Sequence, residues 1–545
     1  MQILTRRGFV KMAGLASAAG IAGMSLAGCG SDQESKGPSD TPSKVVVAMS
    51  TSSEPAAGFD PCIAWGCGEH VHEPLIQSTL ITTDINLEFV NDLATEYSCS
   101  DDGLTWTFKI RDDVKFTDGE PLTAKDVAFT INTINESKKS EADLSSVKKA
   151  VAVDDTTVEF RMSKPNNTLL YTLAVVGIVP EHAYDNNYGA APIGSGRYKM
   201  VQWDKGQQVI FEANPDYYGE PVKMQQLVVV FMDEDAALAG CQAGEIDIAY
   251  TSATMYDSVP EGYELLSCKS VDSRGISLPT RKAGSPQRVG MDGEKHDVGN
   301  DVTCDIAIRR AMNLAVDREK MIANVLNGYG TVAYSVGDGL PWSSDDMRVD
   351  MDVEAAKKML DEAGWKLDGD FRSKDGVKAS FDLYYAANDS SRQAMSYEFA
   401  NQMAGIGIEV KCKGGDWDTD LYPHEFDTPI LWGWGSNSPV EMYEINYSAG
   451  WGNVAAYDSK TVDKHLDAAL AETKIEDSYD DYKLAMWDEA AQDGVAPKGQ
   501  ATWVWLANID HLYFQKSGLD VAAQKPHPHG HGWSLVNNVD QWSWK

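Results

Sequence analysis

The sequence predicts an α/β fold built from two or three lobes. Strand-like runs rich in β-branched and aromatic residues alternate with stretches whose apolar residues recur at helical spacing, which is typical of mixed α/β domains. The chain has 545 residues, of which 43% are hydrophobic, so a large core divided between lobes can form. The clearest strand-like runs cover residues 44–49, 106–110, 157–162, 208–211 and 227–231.

The most regular helical pattern covers residues 305–326. Ile308, Ala311, Met312 and Ala315 fall near one stripe of this segment, and an Asn-Gly pair follows it as a stop signal. We therefore expect one long helix here. Further helices are predicted at residues 353–363, 391–403, 459–473 and 478–492, with a strand at 406–411.

The amino-terminal segment predicts export and lipid anchoring. Arg6 and Arg7 precede a run of small and apolar residues at 12–27, and Cys29 follows an Ala-Gly pair. This order is typical of a twin-arginine export signal joined to a lipobox, so we expect residues 1–28 to be removed and Cys29 to carry acyl chains. The alternative, a membrane-spanning anchor, is weaker because about 16 apolar or small residues fall short of the roughly 20 that span a bilayer.

Residues 29–43 predict a flexible tether. They are rich in Ser, Gly and Pro and hold too little apolar surface to order themselves. No second hydrophobic run of spanning length follows in the sequence. We therefore expect the rest of the chain to lie in the cell envelope, on the outer side of the cytoplasmic membrane, where only the lipid holds it.

The charge balance is strongly acidic, with a formal net charge of −35. Such a charge repels nucleic acid and anionic lipid, so neither is an expected partner. It would attract cations or cationic ligands, but an acidic surface also keeps a protein soluble. Both interpretations stay open.

Seven cysteines remain once Cys29 is lipidated, so at least one thiol has no partner within the chain. Proteins exported by the twin-arginine route fold in a reducing cytoplasm, where scattered cysteines are more often buried thiols than disulfides. Cys62 and Cys67 are the only pair that their spacing singles out.

Several sequence blocks resemble one transport family. The blocks WTFKIR, VKFTDG and LTAKDV follow one another within residues 106–127, and further blocks appear in the family's order. On these blocks the chain resembles the extracellular solute-binding proteins of family 5, the peptide- and nickel-binding group that serves ABC importers. The resemblance covers nearly all of residues 44–544. The further blocks lie at residues 179–182, 192–198, 214–219, 244–247, 308–319 and 355–365.

The resemblance implies a periplasmic-binding-protein fold of type II, with two lobes, an extra inserted domain (the cluster C architecture) and closure by hinge motion. Gly194 and Gly196 suit an ordinary tight turn from the residues alone, whereas the resemblance places here the return of the chain from the inserted domain. The implied lobe I combines residues 44–80, 195–270 and 500–545, the inserted domain covers 81–194, and lobe II covers 271–499.

A ligand site is predicted around an aromatic, glycine-rich segment. Trp432 and Trp434 alternate with glycines that expose ring faces, and Ser436, Asn437 and Tyr443 follow. In the family this region lines the cleft, and the alternative is core packing. Peptide-binding members commonly carry an aspartate after such a segment, and this chain has Ser436 and Asn437 instead. Glu441 and Glu444 could pair with a ligand's ammonium group, although a solvated face is the plainer interpretation of both.

Two clusters suggest metal binding as an alternative. His527, His529 and His531 stand at alternate positions, which share one face of an extended chain, and a second set surrounds Cys62. Imidazole and thiolate suit nickel, copper and zinc. The competing interpretations are a polar tail that packs on lobe I and a folded loop near the cleft rim. The other histidines, His296 among them, are expected at the surface or in the core. The second set comprises Cys62, Cys67, Glu69, His70, His72 and Glu73.

The sequence predicts a receptor rather than an enzyme. It contains no Gly-x-Ser-x-Gly elbow, no phosphate-binding loop of the Gly-x-x-x-x-Gly-Lys type and no His-Glu-x-x-His pair. We expect a monomer that binds an oligopeptide or similar small solute, holds no resident cofactor and presents its ligand to ABC permease and ATPase subunits. The alternatives are a receptor for nickel or a metal chelate and a surface sensor or adhesion protein without transport.

Overall fold

The computed structural model describes residues 43–55, 57–63, 75–137, 140, 142–528, 531 and 534–545. Arg6, Arg7, Cys29 and the predicted tether up to residue 42 lie outside these ranges. Within them, none of the helices combines the length and the apolar character needed to span a bilayer.

A seven-stranded mixed sheet, called the lobe I sheet below, joins segments from both ends and the middle of the chain. Strand β1 (Lys44–Met49) of this sheet is parallel to both of its neighbouring strands. Val45 and Val47 are fully buried because apolar side chains cover both faces of the sheet. In spatial order the strands are β12 (Tyr263–Cys268), β24 (His511–Lys516), β11 (Ile248–Thr251), β1 (Lys44–Met49), β10 (Gln226–Phe231), β9 (Gln208–Ala213) and β8 (Tyr198–Asp204).

A four-stranded antiparallel sheet, the insert sheet, has its own core. Burial alternates along Thr105–Ile110, so that one face packs against helix Ala124–Glu136. Thr123 and Asp126 form a capping box that starts this helix. The strands are β4 (Ala94–Cys99), β5 (Thr105–Ile110), β7 (Thr157–Met162) and β6 (Val147–Ala152), and a separate hairpin joins β2 (Ile81–Thr83) to β3 (Phe89–Asn91).

The chain enters and leaves this inserted part at one close crossing. Gly196 N donates to Ile76 O (2.7 Å) and Tyr198 N donates to Leu75 O (2.9 Å). An added Cβ at Gly194 would overlap the Ile76 carbonyl oxygen. The two glycines therefore serve a close approach of two chain segments, beyond the requirements of a tight turn.

A second four-stranded sheet, the lobe II sheet, contains one strand that the predicted boundaries misplace. Trp503–Ile509 falls in the segment assigned to lobe I, but it pairs with Ser273–Ser277 and its apolar residues join the lobe II core. The boundary at residue 500 is therefore wrong for this strand, because the chain returns to lobe I only after Ile509. The strands in order are β16 (Gly330–Val332), β23 (Trp503–Ile509), β13 (Ser273–Ser277) and β22 (Leu431–Trp434).

Shorter pairings complete the strand set. They are the hairpin of β14 (Ser285–Val289) and β15 (Lys295–Val298), the meander of β17 (Lys366–Asp368), β18 (Phe371–Lys374) and β19 (Val377–Lys378), the parallel pair of β20 (Ser380–Ala386) and β21 (Glu409–Gly415), and the pair of β25 (Leu519–Asp520) and β26 (Ser543–Trp544).

The predicted long helix at 305–326 is two helices. Asp317 interrupts the predicted helix, because its side chain accepts a hydrogen bond from Lys320 N (2.9 Å) and caps the N-terminus of a second helix. The predicted helix at 478–492 also ends early, at Met486, where Trp487 is extended. The helices are α1 (Ala124–Glu136), α2 (Leu169–Leu173), α3 (Glu234–Gln242), α4 (Ile306–Ala315), α5 (Arg318–Asn324), α6 (Val353–Glu362), α7 (Ser390–Ala404), α8 (Val440–Asn446), α9 (Lys460–Ala471) and α10 (Tyr479–Met486).

Candidate functional site between the lobes

The predicted aromatic segment forms β22, an edge strand of the lobe II sheet. Trp432 lies opposite Gly275 and Trp434 lies opposite Ser273 on the neighbouring strand β13. Both tryptophans are buried, and Trp432 Nε1 donates to Ser277 Oγ (3.0 Å). We call residues 271–274 and 431–438 the interlobe wall, because this part of lobe II contacts the C-terminal segment that packs on lobe I.

Four tryptophan rings form a row beside this wall, from the half-buried Trp417 through the buried Trp432 and Trp434 to the exposed Trp451. Ring centroids are 5.2 Å apart for Trp417 and Trp432, 6.1 Å for Trp432 and Trp434, and 5.4 Å for Trp434 and Trp451. Trp451 is 52% exposed, whereas Trp434 is 7% exposed. Among the described residues, no acceptor meets the buried Nε1 of Trp434. Trp432 is therefore a core residue, and the pair Trp434–Trp451 is the more exposed end of the row.

Ser436 and Asn437 already have partners in the C-terminal segment. Ser436 Oγ donates to Pro528 O (2.8 Å), and Asn437 Nδ2 donates to His527 O (2.8 Å). The preceding Gly435 has φ +153°, and an added Cβ there would overlap Val271 O. This loop therefore joins the two lobes, and a solute at Ser436 or Asn437 would compete with backbone carbonyls.

A buried carboxylate that sequence reasoning missed stands at the centre of the wall. Asp272 is an ion-pair partner of Arg274, and it lies 3.2 Å from His511 Nε2 and 2.9 Å from His531 Nδ1. Burial acts to raise the pKa of Asp272, but the charges of Arg274 and His531 and the bonds from His511 and His531 hold it well below its usual value. Asp272 is therefore ionised in the folded protein.

A second arginine balances a second aspartate beside Gly433. Arg392 donates through Nε to Asp389 (2.9 Å) and through Nη1 to Leu431 O (2.9 Å). A Cβ at Gly433 would lie 2.5 Å from Arg392 Nη2 and 2.6 Å from Arg274 Nη1. The glycine is needed here because two guanidinium groups approach the strand backbone.

Glu441 and Glu444 do not form the solvated face that the sequence favoured. Glu441 is buried and accepts from Gly435 N (2.7 Å), and Glu444 is half-buried beside Trp451. Burial raises the pKa of each carboxyl to about 8. Both groups are mostly protonated at neutral pH, so each can take on charge when a cationic group of a ligand arrives.

Polar contacts tie the lobes together at two further points. Ser390 Oγ, at the start of α7, donates to Glu234 Oε2 (2.8 Å) and lies 2.7 Å from Thr254 Oγ1. In the inserted part, Asn167 Nδ2 donates to Ala469 O (2.8 Å) in α9. These contacts link lobe II to lobe I and to the inserted part.

Tyr443 lies on helix α8, away from the hydrogen bonds that the Trp-Gly strand β22 makes. Its hydroxyl donates to Asp467 Oδ1 (3.1 Å), its ring stacks on Tyr447 (4.6 Å), and Lys164 Nζ of the inserted part lies 6.0 Å from the ring centroid. Tyr443 therefore faces the inserted part, at the rim of the interlobe region.

The predicted metal ligands are only partly described. Cys67, His70, His72 and His529 lie outside the described residues. Cys62 is a fully buried free thiol whose pKa burial raises, which opposes the thiolate that a metal requires. His527 is buried and its backbone carbonyl accepts from Asn437 Nδ2, and His531 pairs with Asp272. Within the described residues, His527 and His531 do not share a group of three ligands.

Comparison with known proteins agrees with this two-lobed architecture. The family model of the bacterial extracellular solute-binding proteins, family 5 (middle), matches residues 88–455. The chain belongs to this family. The predicted α/β fold with two lobes is therefore confirmed, and the protein is a solute-binding receptor of an ABC importer that acts outside the cytoplasm.

Three relatives show how far the similarity extends. Protein XP55 of Streptomyces lividans is 32% identical over 492 residues, which cover 86% of this chain and 84% of XP55. The oligopeptide-binding protein AppA of Bacillus subtilis is 31% identical over 402 residues, which cover 69% of this chain and 71% of AppA. The structure of NikZ from Campylobacter jejuni in complex with Ni(L-His) matches with a TM-score of 0.76 at 25% identity, covering 92% of this chain and 99% of NikZ.

Proposed function

We propose that the protein captures an oligopeptide, or a similar small organic solute that carries amide groups, between its lobes. The observation that carries this proposal is the indole of Trp434, whose buried N–H meets no acceptor among the described residues while its ring touches the half-exposed Trp451. A peptide offers a carbonyl to the N–H and an apolar side chain to the two rings. AppA, described as an oligopeptide-binding protein, supports the same class of ligand.

The acidic groups beside Trp451 suit the amino end of such a ligand. Glu444 hydrogen-bonds with Trp451, and Glu441 lies close enough to raise the pKa of Glu444 further. An ammonium group placed here would lower both pKa values and pair with the resulting carboxylates. These two glutamates thus take the place of the aspartate that peptide-binding members carry after the Trp-Gly segment.

A metal chelate is the second candidate. Two imidazoles, those of His511 and His531, meet the carboxylate of Asp272 in the interlobe wall, and NikZ was crystallised with Ni(L-His). A metal chelate could bind here by taking over the contacts that the two imidazoles make with Asp272. The mutual pairing of Asp272, Arg274 and the two histidines makes a peptide the first choice, since a chelate would have to displace those contacts.

A thermal-shift screen separates the two candidates. The mature protein is incubated either with mixed peptides of three to nine residues or with Ni²⁺ and L-histidine, and a ligand that binds only the folded form raises the melting temperature. We expect a rise with peptides that W434F and W451A diminish. W503F is the matched control, because Trp503 is also buried with an unpartnered N–H among the described residues. It lies on β23 opposite Ser277, whereas Trp434 lies opposite Ser273 at the other end of β13. A rise with Ni²⁺ and histidine alone would favour the chelate.

We further propose that the receptor is a monomer held on the outer face of the cytoplasmic membrane through a lipidated Cys29, after export directed by Arg6 and Arg7. The order of the two arginines, the apolar run and Cys29 in the sequence supports the export and the lipid anchor. C29S is expected to move the protein from the membrane fraction to the soluble fraction, whereas C304S, at a half-buried cysteine of the folded part, leaves it in place. Membrane retention of C29S would contradict the anchor.

A further inference from the structure

The hairpin of β14 and β15 holds a histidine against an aspartate. His296 lies opposite Arg288 in the strand pairing, and its Nε2 is 2.9 Å from both carboxylate oxygens of Asp292 in the turn. The turn is ordered, because Gly290 N donates to Glu294 O (2.8 Å) and Glu294 N donates to Asp292 Oδ1 (2.9 Å). The hairpin therefore presents an imidazole and a carboxylate side by side.

Glu425 approaches this pair from a distant part of the chain. The residue is 0% exposed, and Oε1 accepts from Met291 N (3.0 Å). Its other oxygen, Oε2, is buried and meets no hydrogen-bond donor within the described part of the chain. A buried carboxylate oxygen without a donor is costly, so it calls for a proton or a cation.

The three side chains converge on one point. One ligand atom from each of Asp292, His296 and Glu425 lies within 4.8 Å of the other two. Gly290 leaves the room for this, since an added Cβ there would overlap Glu425 Oε1 and lie 2.6 Å from His296 Cδ2. We call these three residues the hairpin cluster.

The neighbouring cation does not satisfy Glu425. The bonds of Arg288 go elsewhere, through Nη1 to Asp458 Oδ1 (3.2 Å) and through Nη2 to Ser448 O (2.7 Å). Arg288 therefore leaves Glu425 Oε2 without a donor among the described residues.

We propose that the hairpin cluster is a binding site for a divalent transition-metal ion of the zinc type. One imidazole nitrogen and two carboxylate oxygens are ligands that Zn²⁺ accepts in four-coordinate sites, with water in the remaining position. Ligand atoms around such an ion stand about 3.3 Å apart when its bonds are about 2.0–2.1 Å long, so the exposed Asp292 and the half-buried His296 need only close slightly on Glu425. The ion replaces the proton between His296 and Asp292 and ties the hairpin to the segment that holds Glu425.

Titration of the metal-free, mature protein with Zn²⁺, produced without a histidine tag, tests the site by calorimetry. Wild type is expected to bind one equivalent that H296A and E425Q lose, with affinity at least about 100-fold lower, because removing even an indirect partner of a ligand costs 10–100-fold. H182A is the matched control, since His182 also pairs with an aspartate (Asp118, 2.7 Å) but belongs to no group of three ligands among the described residues.

A second variant keeps all three ligands and fills the space between them. G290A is expected to lose the same equivalent of Zn²⁺, and circular dichroism checks that it is folded. In wild type, Co²⁺ bound in place of Zn²⁺ should give visible absorption that E425Q lacks. This absorption reports the ligands of the ion, so its loss in a folded E425Q would not be explained by general destabilisation. The proposal is overturned if wild type binds no Zn²⁺, if H296A and E425Q bind it as wild type does, or if H182A loses as much as they do. The histidines at 527, 529 and 531 do not confuse the result, since they are unchanged in every variant.

Discussion

The interlobe wall and the hairpin cluster both bury charged groups, but they compensate them differently. In the wall, Asp272 meets Arg274 and two imidazoles, and Arg392 meets Asp389. In the hairpin cluster, one oxygen of Glu425 meets no donor among the described residues. The charged groups of the interlobe wall thus pair with one another, and the indole N–H of Trp434 is left to bind a ligand. The hairpin cluster instead requires a proton or a cation from solution to pair with Glu425.

The largest expected effect on stability comes from removing a buried charge that pairs with other charges in the interlobe wall. D272A leaves Arg274 buried without its carboxylate, and breaking a buried pair in this way costs about 3–5 kcal/mol. The free energy of unfolding, measured by urea denaturation, should fall by that amount. D345A is the control, because Asp345 pairs with Arg348 but is fully exposed, and no measurable change is expected. Equal stability of D272A and D345A would show that the buried group is not compensated as described.

The next effect is a dependence of stability on pH. Burial raises the pKa of Glu441 from 4.5 to about 8, so the folded state holds a proton that the unfolded state has lost between these values. Its contribution to stability is therefore complete below about pH 4.5 and is lost as the pH rises through about 8, at about 1.4 kcal/mol per unit of pKa shift. Melting temperatures between pH 5 and pH 8.5 should fall less in E441Q than in wild type. Identical slopes would contradict a raised pKa.

The smallest effect concerns the contact between the lobes. S390A removes the hydrogen bond to Glu234 Oε2, and a bond of this kind contributes about 0.5–1.5 kcal/mol. If the contact forms only on closure, the affinity for a bound peptide should fall between about two- and tenfold in calorimetry. S396A is the matched control on the same helix, because Ser396 Oγ is buried without a partner among the described residues. An effect of S396A as large as that of S390A would remove the link to closure.

Much of the fold was predictable because its signals are local. Runs of β-branched residues predicted strands such as β7 and β10. The break between α4 and α5 was missed because Asp317 lies within a continuous apolar stripe, where its capping bond outweighs the periodicity. The strand Trp503–Ile509 was misplaced because strand pairing is decided by partners far away in the sequence.

The candidate site was less predictable, because it depends on charges that are usually exposed. Asp272 and Arg392 look like surface residues in the sequence, and only the folded chain shows that they are buried with partners. Asp292 and His296 are four residues apart and could have been noticed, but Glu425 belongs to a segment far away in the sequence. Spacing drew attention to His527, His529 and His531 instead, and the backbone there serves contacts between the lobes.

Closure of the two lobes on a diffusible solute at Trp434 and Trp451 can be measured by small-angle X-ray scattering of the mature protein, with and without the peptide that stabilises it most. The radius of gyration is expected to fall on saturation with peptide, and W434F should need more peptide to reach the same value. A radius of gyration that stays the same at saturating peptide would contradict this closure.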